Sequence, residues 1–448
     1  MKSEYAAKRL PKHAGPAAWD AILGPRAAAR TLDGDMSCDF AVIGAGFAGL
    51  AAARRLAQLN AGARIVVLDA GRIGEGAAGR NSGFMIDLPH ELTSVNYAGT
   101  DESLDRRLIR LNRLAIEFAR DAVLEYEIDP NHFDPVGKTN GAGSEVSHTR
   151  NQSYAAHLRE LRERYELLDA QAMFELTGSR YYLSGLYTPG TVMLQPAGYV
   201  RGFAGGLSRV AQVRENSPVT GFRREGSAWR IASPGGSVTA PKVVLANNGQ
   251  IESFGFKRGR LMHVFLFACM TEELGRDALA KLGGRARWGV TPSDPMGTTM
   301  RRIDSGQGGN RIVTRTCAEF RPGMESSSRE MRRATAVMRR KFDTRFPQLA
   351  DVRMEYVWSG HLCLSRNGVS VTGEVEDGIF AACCQNGLGT TRGTLTGISA
   401  AELASGSTSS ITEYFVAQAE PERLPPEPIA TVGANLVLRW KEWLARRE

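Results

Sequence analysis

The stretch Asp39-Phe40-Ala41-Val42-Ile43-Gly44-Ala45-Gly46-Phe47-Ala48-Gly49-Leu50-Ala51-Ala52-Ala53-Arg54-Arg55-Leu56 decides the fold. Its apolar run to Ile43 reads as a buried parallel strand, the three glycines as a tight turn, and the Ala/Leu run as the next helix. Gly44 permits the turn, Gly46 lets main-chain N–H groups approach a pyrophosphate, and Gly49 lets the helix pack against the strand. The helix opening at Phe47 and Ala48 then aims its partial positive charge at the phosphates. A second strand, Arg64-Ile65-Val66-Val67-Leu68, ends in Asp69, where an acid accepts the ribose hydroxyls of an adenine dinucleotide.

The residues after Asp69 argue for FAD over NAD. The run from Asp69 to Phe84, which includes Ala70, Arg72, Gly79, Arg80, Asn81, Ser82 and Gly83, is long and dense in glycine. It does not suit the short connection of a plain Rossmann repeat, and it can wrap an extended cofactor.

Outward from this motif, the chain has 448 residues, 42% of them hydrophobic and 23% charged. That length predicts about two to three domains with a large core, and excludes a small disulfide scaffold or a disordered chain. No uninterrupted apolar stretch is long enough to span a bilayer. The six cysteines lack metal-ligand spacing, so no metal site is expected, and they predict a reducing compartment. The mixed N-terminus carries no leader pattern, so a cytoplasmic protein is expected. Net charge is +8, carried almost wholly by arginine, which binds carboxylates and phosphates bidentately. This excess admits an acidic small molecule or a nucleic acid, but no RNA-binding module or basic-aromatic repeat favours nucleic acid. The densest basic stretch, 329–341, carries apolar residues at helical spacing and reads as the solvated face of an amphipathic helix.

The motifs together resemble the glycine/D-amino-acid oxidase superfamily of FAD enzymes, and within it the γ-glutamylputrescine oxidase group. The resemblance rests on Val42–Leu50, Leu68–Gly74, Ala77–Gly83, Gln195–Gly202, Val219, Val243–Gly249, Trp358–Gly360 and Asn386–Thr394, in family order. It implies an α/β fold, with a Rossmann-type FAD domain (35–95, 190–255 and 356–410) interleaved with an α+β substrate domain on a mixed or antiparallel sheet (96–189 and 256–355). Residues 1–34 form an N-terminal extension and 411–448 a C-terminal tail. Val219, Asn248 and Gly249 fall in its second set of FAD-binding strands. Gly387, Leu388, Gly389, Thr390 and Thr391 open a helix whose positive end would face the flavin edge that gains negative charge on reduction. The positions where some relatives tether the flavin fall near Gly360 and Arg80, so a non-covalent cofactor is expected, although His361 and Cys363 lie close by.

The implied chemistry is transfer of hydride from the carbon beside an amine to flavin N5. The imine is then hydrolysed, and O2 takes the electrons to give hydrogen peroxide. The protein orients the substrate, and no obligatory general base is required. Relatives carry a basic residue near the flavin in the region of Arg301 and Arg302, so one of these is expected to clamp a substrate carboxylate, with His361 a further catalytic candidate. His90 and His263 are expected to be structural hydrogen bonders. A pocket with two arginines suits a dicarboxylic secondary amine, and the resemblance implies iminodiacetate, oxidised to glyoxylate and glycine, as the favoured substrate. γ-Glutamylputrescine, sarcosine-like amines, D-amino acids, a quinone or carrier as electron acceptor, and an RNA-modifying flavoprotein stand as alternatives. Oligomeric state is open.

Overall fold

The computed structural model describes residues 4–89, 101–294 and 296–448, so the expectation for His90 lies outside the described residues. The opening stretch forms the strand Phe40–Ile43 and the helix Phe47–Leu59, both as read. A six-stranded sheet forms around that strand in the order Gln212–Arg214, Ile65–Leu68, Phe40–Ile43, Lys242–Leu245, Ile379–Cys383 and Val371–Glu376. The first five are parallel, and the last is antiparallel to its neighbour. Val42, Val67, Val244 and Ala382 are fully buried, the pattern of strands covered on both faces. Helices Phe47–Leu59 and Thr391–Ala404 pack together on one face, and a Cβ at Gly397 would land on the Ala48 carbonyl.

The second large sheet has eight strands, running from Met354–Ser365 through Leu261–Thr271, Arg311–Phe320, Thr299–Ile303, Trp288–Pro292, Lys138–Ala142 and Ser184–Thr188 to Glu166–Asp169. It is mixed, with Trp288–Pro292 and Lys138–Ala142 its one parallel pair. Thus residues 356–365, read from sequence with the FAD segment, form the edge of this other sheet. Helix Ser328–Arg345 packs on it through Ala334, Met338 and Phe342, leaving Arg329, Arg332 and Arg340 exposed, as an amphipathic helix should.

The N-terminal extension is stitched into the body. Glu4–Ala6 pairs with Gly221–Glu225 in a five-stranded sheet, and Trp19 is fully buried. The Trp19 indole N–H donates to the Asn81 carbonyl at 2.8 Å, and its own carbonyl accepts from Gln195 Nε2 at 2.7 Å. Within the C-terminal tail the chain forms the helix Ile429–Leu444. It lies along the end of Arg311–Phe320, where Asn435 Oδ1 accepts the Phe320 N–H and Glu442 Oε1 the Ala318 N–H, both at 2.9 Å. Those strand groups lie beyond the pairing with Thr299–Ile303, so the helix side chains complete an otherwise open edge. The described cysteines are all buried and free, and no described group of side chains forms a metal cluster. No described helix is long and apolar enough to cross a membrane.

Candidate functional site

A cavity of about 370 Å³ lies between the parallel sheet and the eight-stranded sheet. Its dinucleotide end is built by the turn 44–46. Gly44 has φ +105°, and a Cβ there would stand 2.7 Å from the Ala246 carbonyl oxygen. Gly46 precedes the helix Phe47–Leu59 in extended conformation, and no side chain caps that helix. Its first N–H groups therefore face the cavity without intrahelical partners, an anion site by construction. Gly49 does not line the cavity; a side chain there would strike the Gly44 carbonyl, so its role is close packing.

Asp69 follows the strand Ile65–Leu68 and is held from both sides. Its Oδ2 accepts the Ala45 N–H at 2.7 Å and its Oδ1 the Gly71 N–H at 3.0 Å. Desolvation raises its pKa, and the two N–H groups pull against that rise. Ala70, Arg72, Val219 and Asn248 line the same end of the cavity. Gly79 stands behind it against the Gly74 carbonyl, and Gly249 behind it against His263 and His361.

The loop 80–83 closes one wall. Arg80 gives its guanidinium to main-chain oxygens, donating to Glu75 at 2.6 Å, Gly15 at 3.0 Å, Ala14 at 3.2 Å and Ser359 at 3.3 Å. Burial lowers its pKa to about 10, so it remains a cation at neutral pH. Asn81 accepts the Gly83 N–H at 2.7 Å and folds the loop back, with Ser82 beside it on the cavity wall. Opposite, Gly387, Leu388, Gly389 and Thr390 lead into the helix Thr391–Ala404, whose N-terminus also lacks a side-chain cap. The Thr390 hydroxyl donates to the Phe84 carbonyl at 2.7 Å, and the fully buried Thr391 hydroxyl to the Ile86 carbonyl at 3.1 Å. Two uncapped helix ends and a carboxylate beside the glycine turn fit a long, anionic dinucleotide whose far end also gains negative charge.

The substrate end corrects the arginine expectation, because neither Arg301 nor Arg302 lines the cavity. Arg301 is 1% exposed and stacks at 5.0 Å over Trp19. It donates to the carbonyls of Leu194 and, at 3.1 Å, Ser82, and its Nη2 donates to Gln307 at 3.1 Å. Arg302, the next residue on the strand, points to the opposite face by alternation and donates to the Gly283 carbonyl. The residue sequence reasoning passed over is Arg315. It pairs in register with Ala268 on one side and Thr299 on the other, and all three line the cavity. Thr299 is 3% exposed, and its hydroxyl has no hydrogen-bond partner among the described residues. The usable signal was alternation: Thr299 and Arg301 share a face, and the register brings Arg315 beside the former.

His361 does line the cavity, and its ring stacks on Phe265 at 5.0 Å. Its Nε2 lies 3.1 Å from His263 Nδ1, so His263 is a hydrogen bonder as expected, with Glu252 as its other partner. Burial first, then His263 and His13, lower the His361 pKa to about 3. Arg9, Lys12 and His13 from the N-terminal segment also line the cavity, a contribution that no local motif announced.

A family model described as FAD dependent oxidoreductase matches residues 39–403. Among curated proteins, γ-glutamylputrescine oxidoreductase of Escherichia coli is 26% identical over 392 residues, covering 84% of this chain and 85% of the relative. The probable oxidoreductase OrdL of Haemophilus influenzae is 24% identical over 365 residues, covering 78% and 79%. Among solved structures, glycine oxidase from Geobacillus kaustophilus superposes with a TM-score of 0.69 at 18% identity, covering 87% of this chain and all of the other. The amino acid oxidase NikD superposes with a TM-score of 0.66 at 18% identity, covering 88% and 99%.

Proposed function

Because the chain belongs to the FAD-dependent oxidoreductase family, we propose that it oxidises the C–N bond of a small amine or amino acid bearing a carboxylate. The observation that carries this reading is Arg315 in the cavity roof. Arg315 brings a guanidinium to the lining beside Ala268 and Thr299, and a guanidinium binds carboxylates bidentately. Arg315 fixes the substrate carboxylate through charge-assisted hydrogen bonds, and the Thr299 hydroxyl adds a donor beside it. Bound FAD supplies the acceptor for the two electrons that leave with the hydrogen of the carbon beside nitrogen. The uncapped end of Thr391–Ala404 stabilises the negative charge that this transfer creates. The similarity to γ-glutamylputrescine oxidoreductase supports an amine donor.

Iminodiacetate is the substrate we would test first. One carboxylate is held by Arg315, and Arg9 and Lys12, which line the same cavity, supply cations for the second. Water hydrolyses the product imine to glyoxylate and glycine, and O2 is reoxidant, giving hydrogen peroxide. The buried, unpaired thiols fit a reducing, cytoplasmic setting. Iminodiacetate, sarcosine, γ-glutamylputrescine and D-amino acids are added anaerobically to the yellow holoenzyme while the visible flavin band is followed. Bleaching by a carboxylate-bearing amine, reversed by air, is the expected result. Bleaching that air does not reverse would replace O2 with another acceptor, and bleaching by none of them would discard the amine reading.

A further inference from the structure

Behind His361 stand two titratable side chains that the oxidation leaves unused. His263 Nε2 lies 2.6 Å from Glu252 Oε2, and His263 Nδ1 lies 3.1 Å from His361 Nε2. The three residues come from three elements: the turn Asn248–Phe254, the strand Leu261–Thr271 and the edge strand Met354–Ser365. His263 is 1% exposed. A Cβ at Gly249 would stand 2.9 Å from both His263 Nδ1 and His361 Cε1, so the glycine leaves room for the paired rings.

The chemistry of the chain fixes its protons. An ionised carboxylate can only accept, so His263 donates from Nε2. The neutral His263 ring then has a lone pair on Nδ1, and His361 must donate to it from its own Nε2. A neutral His361 is left with its lone pair on Nδ1. No hydrogen bond to that atom is formed among the described residues, and the ring lines the cavity. We infer that Glu252 and His263 hold His361 in the Nε2–H tautomer, so that its Nδ1 accepts a hydrogen bond from the N–H of the substrate amine.

Glu252 and His263 are thus positioning residues, and His361 is the group that selects for an N–H. Primary and secondary amines satisfy it, whereas a tertiary amine or a thioether of the same shape does not. The inference rests on the amine reading above. The groups facing His263 are Glu252 from the turn, His361 from the edge strand and Cys363, its partner in register. The Arg321 N–H donates to the His263 carbonyl, while its guanidinium is turned to Glu319 and Glu330.

The test uses the full-length holoenzyme labelled with 15N-histidine. Two-bond 1H–15N correlations report each ring's tautomer, and the His361 signals are assigned by their loss in His361→Asn. We expect His361 as the Nε2–H tautomer in the wild type and a mixture in Glu252→Ala. In parallel, flavin absorbance reports binding of a carboxylate-bearing secondary amine and of its thioether isostere. Glu252→Ala and His263→Phe should each lose about tenfold of the preference for the amine, the effect of one hydrogen bond, with thioether affinity unchanged. A His361 Nδ1–H tautomer in the wild type, or a preference that survives Glu252→Ala, overturns the inference. Glu252 is partly exposed, so its variant keeps the test decisive if His263→Phe fails to fold. The tautomer is read without turnover, so it stands or falls separately from the amine reading.

Discussion

At the scale of residues, two arginines on neighbouring strands have different jobs, and substitution separates them. Arg315→Met should raise KM for a carboxylate-bearing amine roughly 10- to 100-fold, the factor for about 1.5–3 kcal/mol in a hydrogen bond to a charged group. Arg301→Met should act on stability instead. It strips a donor from the buried Leu194 and Ser82 carbonyls, at about 1–3 kcal/mol for each unsatisfied group, and leaves substrate discrimination intact once the protein has folded. Steady-state kinetics beside thermal unfolding reads both. The sequence marked this region as basic, but choosing between Arg301 and Arg315 requires the register that sets Arg315 against Thr299, and register is a property of paired strands. His361 was legible by its place after Trp358-Ser359-Gly360 and His263 as a hydrogen bonder, whereas their pairing with each other and with Glu252 was not, because the contacts join separate elements. The low pKa of His361, about 3 against an ordinary 6.5, also has a stability consequence. Between those values the unfolded chain binds a proton that the folded protein refuses, so stability falls as pH drops below about 6.5. The acid-side decline in melting temperature should be shallower in His361→Asn than in the wild type.

At the scale of elements, local signals carried furthest where one element determines its own neighbour. The strand, glycine turn and helix at 40–59 were readable because each glycine answers a nearby main-chain constraint. The close approach of helices Phe47–Leu59 and Thr391–Ala404 was not, since it depends on Gly397 meeting Ala48 across nearly the whole chain. Gly397→Ala should force the helices apart at about 1–3 kcal/mol and, because both N-termini face the cavity, weaken FAD binding as well. Unfolding of apo- and holoprotein checks both effects. The docking of the C-terminal helix was hidden for a related reason. Its pattern marks the apolar turns around Trp440 and Trp443, while the residues that dock it, Asn435 and Glu442, are polar groups serving another element's open edge. Asn435→Leu should leave the Phe320 N–H and C=O unpaired and cost about 1–3 kcal/mol, visible as faster amide exchange at the end of Arg311–Phe320.

At the scale of the molecule, the N-terminal segment joins parts that the sequence presented as separate. Glu4–Ala6 extends one sheet, residues 9–13 line the cavity, Ala14 and Gly15 accept from Arg80, and Trp19 is locked between Asn81 and Gln195. Nothing local in 1–34 signals this, because its partners are carbonyls and donors distributed over the whole chain. The glycine turn and both helix ends do not depend on the segment, so a chain beginning at residue 16 should still fold and bind FAD. It would lose the wall made by 9–13 and leave the Arg80 guanidinium without two of its acceptors. FAD should therefore bind at least about tenfold more weakly, since 1.4 kcal/mol suffices for a decade and two part-buried charge-assisted hydrogen bonds exceed that. Quenching of flavin fluorescence on titrating apoprotein measures the affinity. An unchanged dissociation constant would mean that the segment covers the site without holding its loop. A tenfold loss that is restored by adding a peptide of residues 1–15 would assign the effect to the segment's own contacts.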